Sequence, residues 1–189
     1  MADIAEVEVK TLSEWRRWLE QNHTQSESIW LVSYKKHTDH YIPFGEIVDQ
    51  ALCFGWVDSS VRGVDKDRFK HLLSPRKQGS NWSKVNKDKV ARLIAQGQMH
   101  PAGMAKIEAS KQDGSWTFLD DVEALVQPDD LKAAFAQHPG SLENWEAFPR
   151  SAKRGILEWI KNAKRPETRD KRIEDTAQKA AQNIRANNA

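Results

Sequence analysis

The sequence predicts an α+β fold: a small antiparallel sheet with helices in the N-terminal half and an all-helical C-terminal part, packed as one compact unit. Three observations predict it. Ile29–Tyr34 is apolar on both faces, as a central strand is. Two alternating runs, Val57–Gly63 and Arg68–Leu73, flank the short polar connection Val64-Asp65-Lys66-Asp67, which is the pattern of an antiparallel hairpin. From Lys84 onward the apolar residues recur at helical spacing between caps and Pro/Gly breaks. The expected division is an α+β domain over residues 1–116, carrying the hairpin and a basic loop, and a helical region over residues 117–189 packed on it.

Thr11-Leu12-Ser13-Glu14 fits a capping box, with Thr11 as N-cap and Glu14 at the third helical position. Leu12, Trp15, Trp18 and Leu19 then form a helical apolar stripe that ends near Asn22. His37-Thr38-Asp39-His40 reads as a turn. Phe44, Ile47, Val48, Ala51 and Leu52 mark a second helix, closed at Gly55, whose permissive backbone suits the turn into the hairpin. In the first hairpin strand Val57, Ser59 and Val61 take one face and Asp58, Ser60 and Arg62 the other; in the second, Phe69, His71 and Leu73 oppose Arg68, Lys70 and Leu72. Pro75 and Gly79 make the next segment a loop. Ser80 or Ser83 caps a helix over Lys84–Ala95 that Gly97 ends. His100-Pro101 starts another, anchored by Met104 and Ile107 and stopped at Gly114. Trp116–Val126 is acidic and irregular. Pro128-Asp129-Asp130 opens a short helix, Pro139-Gly140 breaks it, Ser141 and Ser151 each cap a further helix, and Pro166 starts the last, whose tail frays from about Asn183.

Composition narrows the class. The chain has 189 residues, 39% hydrophobic and 30% charged, which is a globular balance on the polar side. No apolar run approaches the ~20 residues of a membrane span. The acidic start, MADIAEVEVK, lacks the apolar core of a signal peptide, and the single cysteine, Cys53, forbids an intrachain disulfide. A cytoplasmic location is the expectation. The net charge of +2 hides segregation: −5 over residues 1–61, +7 over 62–92, −7 over 113–146 and +6 over 150–172.

The candidate site lies in the stretch from Ala51 to Lys89. Arg76 and Lys77 precede a helix N-terminus, where free N–H groups and the helix dipole favour an anion. Ser80, Asn81 and Asn86 add hydrogen-bonding groups, and Asp58, Ser60 and Arg62 project from the hairpin. Trp56 and Trp82 are positioned to wall a pocket, although hydrophobic core is the plainer role of each. Near the C-terminus, Arg169 and Arg172 share a helical face; Arg169 either completes the anion site or docks its helix on the acidic N-terminal half. The plain alternative throughout is a solvated basic face with ordinary caps. His37 and His40 lack a second pair at zinc-ligand spacing, so no metal is expected. Cys53, in an apolar helix end, reads as a buried structural thiol. No phosphate-binding or dinucleotide fingerprint and no nucleophile elbow is present. No catalytic residue and no cofactor are assigned.

The runs ALCFGWVDS, SPRKQGSNWSKVN and AKRPETRDKRI together resemble the YdeI/OmpD-associated, or bacteriocin-protection, family. Trp30-Leu31 with Lys35-Lys36, and Gly97-Gln98-Met99 with Ala102-Gly103, support the resemblance, which extends from about Trp15 to Ile173. It implies a small bacterial protein linked to tolerance of cationic antimicrobial peptides or bacteriocins and to porin association, with no catalytic residues to carry over. The reading that follows is a non-enzymatic protein binding an anionic small ligand or a protein partner through Ser74–Asn86. Two alternatives remain: nucleic-acid binding through segments 62–92 and 150–172, and an enzyme acting on a phosphorylated or carboxylated substrate. No nucleic-acid reader motif is present, and a pI of 8.6 is low for such a domain, so nucleic acid is the weaker partner.

Overall fold

The computed structural model describes residues 4–187. The first three residues, on which the reading of the N-terminus partly rests, and the last two, the end of the tail expected to fray, lie outside the described residues. The chain divides into two compact units, Met1–Phe118 and Leu119–Ala189. The first holds the sheet and the second is helical, so the α+β class stands.

The first unit is built on four strands, β1 (Glu6–Glu8), β2 (Ile29–Tyr34), β3 (Trp56–Gly63) and β4 (Arg68–Pro75), in the order β1-β2-β4-β3. The sheet is antiparallel except for β1, which runs parallel to β2 with Val7 opposite Leu31. The sequence reading lacks β1, because three residues are too few to display a period. Strand β2 is internal, and its residues from Ile29 to Ser33 are all buried.

Helices α1 (Leu12–Asn22), α2 (Phe44–Cys53), α3 (Lys84–Ala95) and α4 (Pro101–Gln112) share one core with the sheet. Trp15, Leu19, Ile47, Leu52, Leu73, Trp82 and Leu93 lie at its centre. The α1 start is capped as expected: Thr11 Oγ1 accepts from Glu14 N–H, and the Glu14 carboxylate accepts from Lys10 N–H, one residue before the cap. Ser83, not Ser80, caps α3 by accepting from Asn86 N–H. On α4 the anchors are Ile107 and Gly103; Met104 is exposed. Gly103 is required there because a Cβ would overlap the Cys53 carbonyl at the end of α2.

In the second unit, α5 (Asp120–Glu123) occupies part of the stretch expected to be irregular. Helices α6 (Asp129–Gln137), α7 (Ser141–Ala147), α8 (Arg150–Lys161) and α9 (Pro166–Ala181) follow. Two expected caps are corrected. Gly140, at φ +79°, is the N-cap of α7, and Ser141 Oγ instead donates to the Phe135 carbonyl. Pro149 precedes α8, and Ser151 lies inside it. Nor does the tail fray from Asn183 within the described residues. Asn183 adopts φ +57°, Ile184 N–H bonds the Lys179 carbonyl, and Ala186 is buried. That geometry is a helix stop whose reversed chain returns to the unit.

Candidate functional site

Helix α2 ends at Cys53, and Gly55 (φ +77°) turns the chain directly into β3. Strands β3 and β4 are joined by a turn in which the Asp65 carboxylate accepts from the N–H groups of Asp67 and Arg68 and pairs with the Arg68 guanidinium. A β-bulge between Asp58 and Ser60 then decides which way the polar residues face. Asp58 stands opposite Leu73, while Ser60 stands opposite Leu72 and Arg62 opposite Lys70. The extra residue breaks the period of two. Asp58 therefore shares the helix-covered face with Leu73 and His71, and Ser60 and Arg62 fall on the other face. This corrects the expectation that Asp58, Ser60 and Arg62 share a side. Val61, opposite His71 but on an edge strand, is 63% exposed.

On the outer face the Arg62 and Lys70 cations lie 5.0 and 5.1 Å from the Trp30 ring centroid. Lys70 pairs with Glu6, and Arg68 pairs with Glu8, so ion pairs reach from β4 to β1 across β2. Arg62 is thus engaged with Trp30, away from the α3 loop.

Arg76 ends the hairpin, and its position is the central fact of the stretch. Its N–H bonds the Gly55 carbonyl at 2.9 Å, closing β4 onto the α2–β3 turn. Its side chain is 3% exposed. The guanidinium carbon lies 3.7 Å from the Trp82 ring centroid, and Nη1 donates to the Asn81 carbonyl at 3.0 Å. Nε has no hydrogen-bond partner among the described residues. Burial pulls the guanidinium down to about 10, against an opposing pull from the Asp58 charge. Lys77 is exposed beside it, and Ser80, Asn81 and Asn86 are half-buried. The loop is pinned by Gly79 N–H donating to the Asp113 carboxylate at 3.0 Å.

Trp56 and Trp82 are 0% and 1% exposed and belong to the core rather than to an open wall. Trp56 Nε1–H donates to the His23 carbonyl, and Trp82 Nε1–H donates to Ser110 Oγ at 2.8 Å. Each indole is large enough to fill the space between two elements and finds one acceptor for its N–H.

His71 is the residue that sequence reasoning missed. It is 5% exposed, its ring is stacked on Phe44 at 4.3 Å, and its Nε2 has no partner among the described residues. Burial lowers its pKa, and Asp58 opposes that effect. Ser33 Oγ, on the same face one pair along and opposite Phe69, is also buried without a partner among the described residues. The histidine in an alternating strand was a legible signal, since Phe69 and Leu73 beside it marked its face as the inner one.

Arg169 belongs to the second unit. Its Nε and Nη2 donate to the two oxygens of Asp130, at 2.7 and 3.0 Å, and hold that carboxyl below its ordinary range. It lines a cavity of about 150 Å³ with Asp121, Val122, Leu157, Ile160 and Lys161. Many cations of segments 62–92 and 150–172 are likewise paired: Lys89 and Arg92 with Asp49, Arg154 with Glu123 and Glu158, and Lys161 with Asp121. Such pairing reduces what those segments offer to phosphates.

His37 pairs with Asp67. Among the described residues no group of three or more His, Cys, Asp or Glu is arranged to hold a metal ion. Cys53 is buried, and burial raises its thiol pKa. No helix among the described residues is long and apolar enough to cross a membrane.

Comparison with known proteins gives two matches. Residues 7–106 match the model of a domain of unknown function, DUF8412. Residues 124–183 match the family described as bacteriocin-protection, YdeI or OmpD-associated. Neither the curated proteins nor the solved structures contain a match.

Proposed function

For a chain that belongs to the DUF8412 domain family and carries a bacteriocin-protection, YdeI or OmpD-associated region after it, we propose a non-enzymatic binding role in bacterial tolerance of antimicrobial peptides. The ligand is an anionic small molecule or an acidic group of a partner, met by the loop Ser74–Asn86. One observation carries this reading. Arg76 is a buried cation fixed by Trp82 and Asn81 at the root of an exposed loop that presents Lys77. A cation held in place loses little entropy on binding, which is the advantage of a preorganised site. The lone, buried Cys53 supports a cytoplasmic location.

The test is a thermal-shift screen against phosphorylated metabolites, nucleotides, dicarboxylates and short nucleic acids. It is run on the wild type, on Lys77→Ala/Ser80→Ala and on Arg76→Ala/Lys77→Ala. A ligand that binds only the folded chain raises its midpoint by mass action. The expected result is an upward shift with a small anion that both variants lose. Equal shifts in all three proteins would place binding elsewhere.

A further inference from the structure

A cleft of about 270 Å³ opens between α1, α2 and α3 in the first unit, and none of its lining residues belongs to the Ser74–Asn86 loop. The most buried residue of its lining is Gln50 of α2, 9% exposed. Arg16 Nη1 donates to Gln50 Oε1 at 2.8 Å and so fixes the amide, while Arg16 is itself paired with Glu20. Gln50 Nε2 is left with no hydrogen-bond partner among the described residues. Nor is it one of the side-chain atoms sealed without a partner, so solvent reaches it. A buried amide group is normally bonded; this one is held at one end and presents its donors to the cleft.

The rest of the lining is dense in hydrogen-bonding groups. Asp49 is held by Lys89 and Arg92, and Arg92 Nη1 also donates to Gln96 Oε1 at 3.4 Å. Gly97, at φ +65°, reverses the chain, and Gln98 N–H bonds the Leu93 carbonyl at 3.0 Å, which brings Gln98 to the cleft. Glu46, one turn before Gln50, is exposed, and its carboxylate has no partner among the described residues. Leu12 is the single apolar wall. The charges cancel: the carboxylates of Glu46 and Asp49 are matched by the cations Lys89 and Arg92. An ion of either sign therefore gains little here. What the cleft offers is three amides that both donate and accept, and one free carboxylate that accepts.

We propose that this cleft binds a small neutral polyhydroxylated molecule, a monosaccharide or polyol. A hydroxyl donates and accepts at one atom, which is what a lining of amides and a carboxylate requires of its ligand. One hydroxyl accepts from Gln50 Nε2–H, a neighbouring hydroxyl donates to Glu46, and Gln96 and Gln98 bond the outer hydroxyls. Leu12 meets the C–H side of the molecule. The fixed amide of Gln50 loses little freedom on binding, whereas the exposed Gln96 and Gln98 must be ordered, so affinity in the millimolar range is expected. The proposal uses nothing of the anion-binding reading of the Ser74–Asn86 loop and stands or falls separately from it.

The experiment is an NMR titration of the 15N-labelled full chain, following the side-chain amides of Gln50, Gln96 and Gln98. The neutral probes are glucose, xylitol and myo-inositol; glucosamine and glucuronate are their cationic and anionic counterparts of similar size. At least one neutral probe should move the Gln50 and Gln98 amides saturably, and glucosamine and glucuronate should bind at least fivefold more weakly than it. Gln50→Glu keeps the shape and the bond to Arg16 but removes the donor, so it tests the site without opening a void, and it should weaken binding at least fivefold. Glu46→Ala, on an exposed position, should do the same, and Lys77→Ala should change nothing. Absence of a saturable shift at Gln50 and Gln98 with every neutral probe, well past the millimolar range, would overturn the site. Tighter binding of glucosamine or glucuronate would overturn the ligand class, and so would full affinity in both Gln50→Glu and Glu46→Ala.

Discussion

The guanidinium carbon of Arg76 lies over the Trp82 ring, 3.7 Å from its centroid, and Nη1 donates to the Asn81 carbonyl. One side chain thereby ties the end of β4 to the segment that enters α3. Replacing it by alanine removes a desolvated cation–π contact and a charged hydrogen bond and opens a void. The expected loss is about 2–4 kcal/mol, read from urea unfolding. Arg76→Met, which fills the space and removes the cost of burying a charge, should lose less than half of that. Equal losses would mean that the contacts of the cation, and not the volume it fills, carry the stability.

His71 makes stability depend on pH. Its folded pKa is depressed by burial, with Asp58 in opposition, so the unfolded chain binds the proton more readily. The stabilising contribution is complete above the unfolded value, near 6.5, and is lost as pH falls through the folded value. His100, depressed by burial and then by His23 and Arg16, acts in the same direction. The urea midpoint should fall between pH 7.5 and pH 5, and His71→Phe should make that fall shallower.

Two glycines in helices should respond oppositely to alanine. At Gly103 the new Cβ would run into the Cys53 carbonyl, and backbone cannot step aside cheaply, so a loss of about 1–3 kcal/mol is expected. At Gly155, inside α8, nothing lies within 4 Å of the added carbon, and a gain of about 0.4–1 kcal/mol is expected from the reduced freedom of the unfolded chain. Paired thermal melts check both.

The Arg169–Asp130 pair is bidentate but partly exposed, 30% and 44% by side chain. Solvent screening should hold the effect of Arg169→Ala to about 1 kcal/mol or less, diminishing further in 0.5 M salt. A larger, salt-independent loss would point to a buried role in the adjoining cavity.

Features governed by local chemistry were legible in the residues alone. Thr11 and Glu14 marked the start of α1, Gly55 and Gly97 marked turns, and the alternation on either side of Asp65 marked the hairpin. What escaped were features set by register and by neighbours distant in sequence. The Asp58/Ser60 bulge inserts one residue that no periodicity announces, and that residue separates Asp58 from Arg62. The burial of Arg76 depends on Trp82 and on a turn twenty-one residues earlier at Gly55, so composition presented it as a surface cation. His71 was visible, but its lack of a partner among the described residues depends on every element around it.

Strand β1, at three residues, contributes little area, yet it occupies the flank of β2. Behind it lies Ile-Trp-Leu-Val-Ser-Tyr, a β-prone, uncharged segment with a full row of backbone donors and acceptors. Such a segment, once uncovered, templates strand addition from another chain. The acidic Glu6 and Glu8, clamped to Lys70 and Arg68, therefore act as a guard against aggregation, and detachment of those few residues would cost the molecule its colloidal stability before its fold.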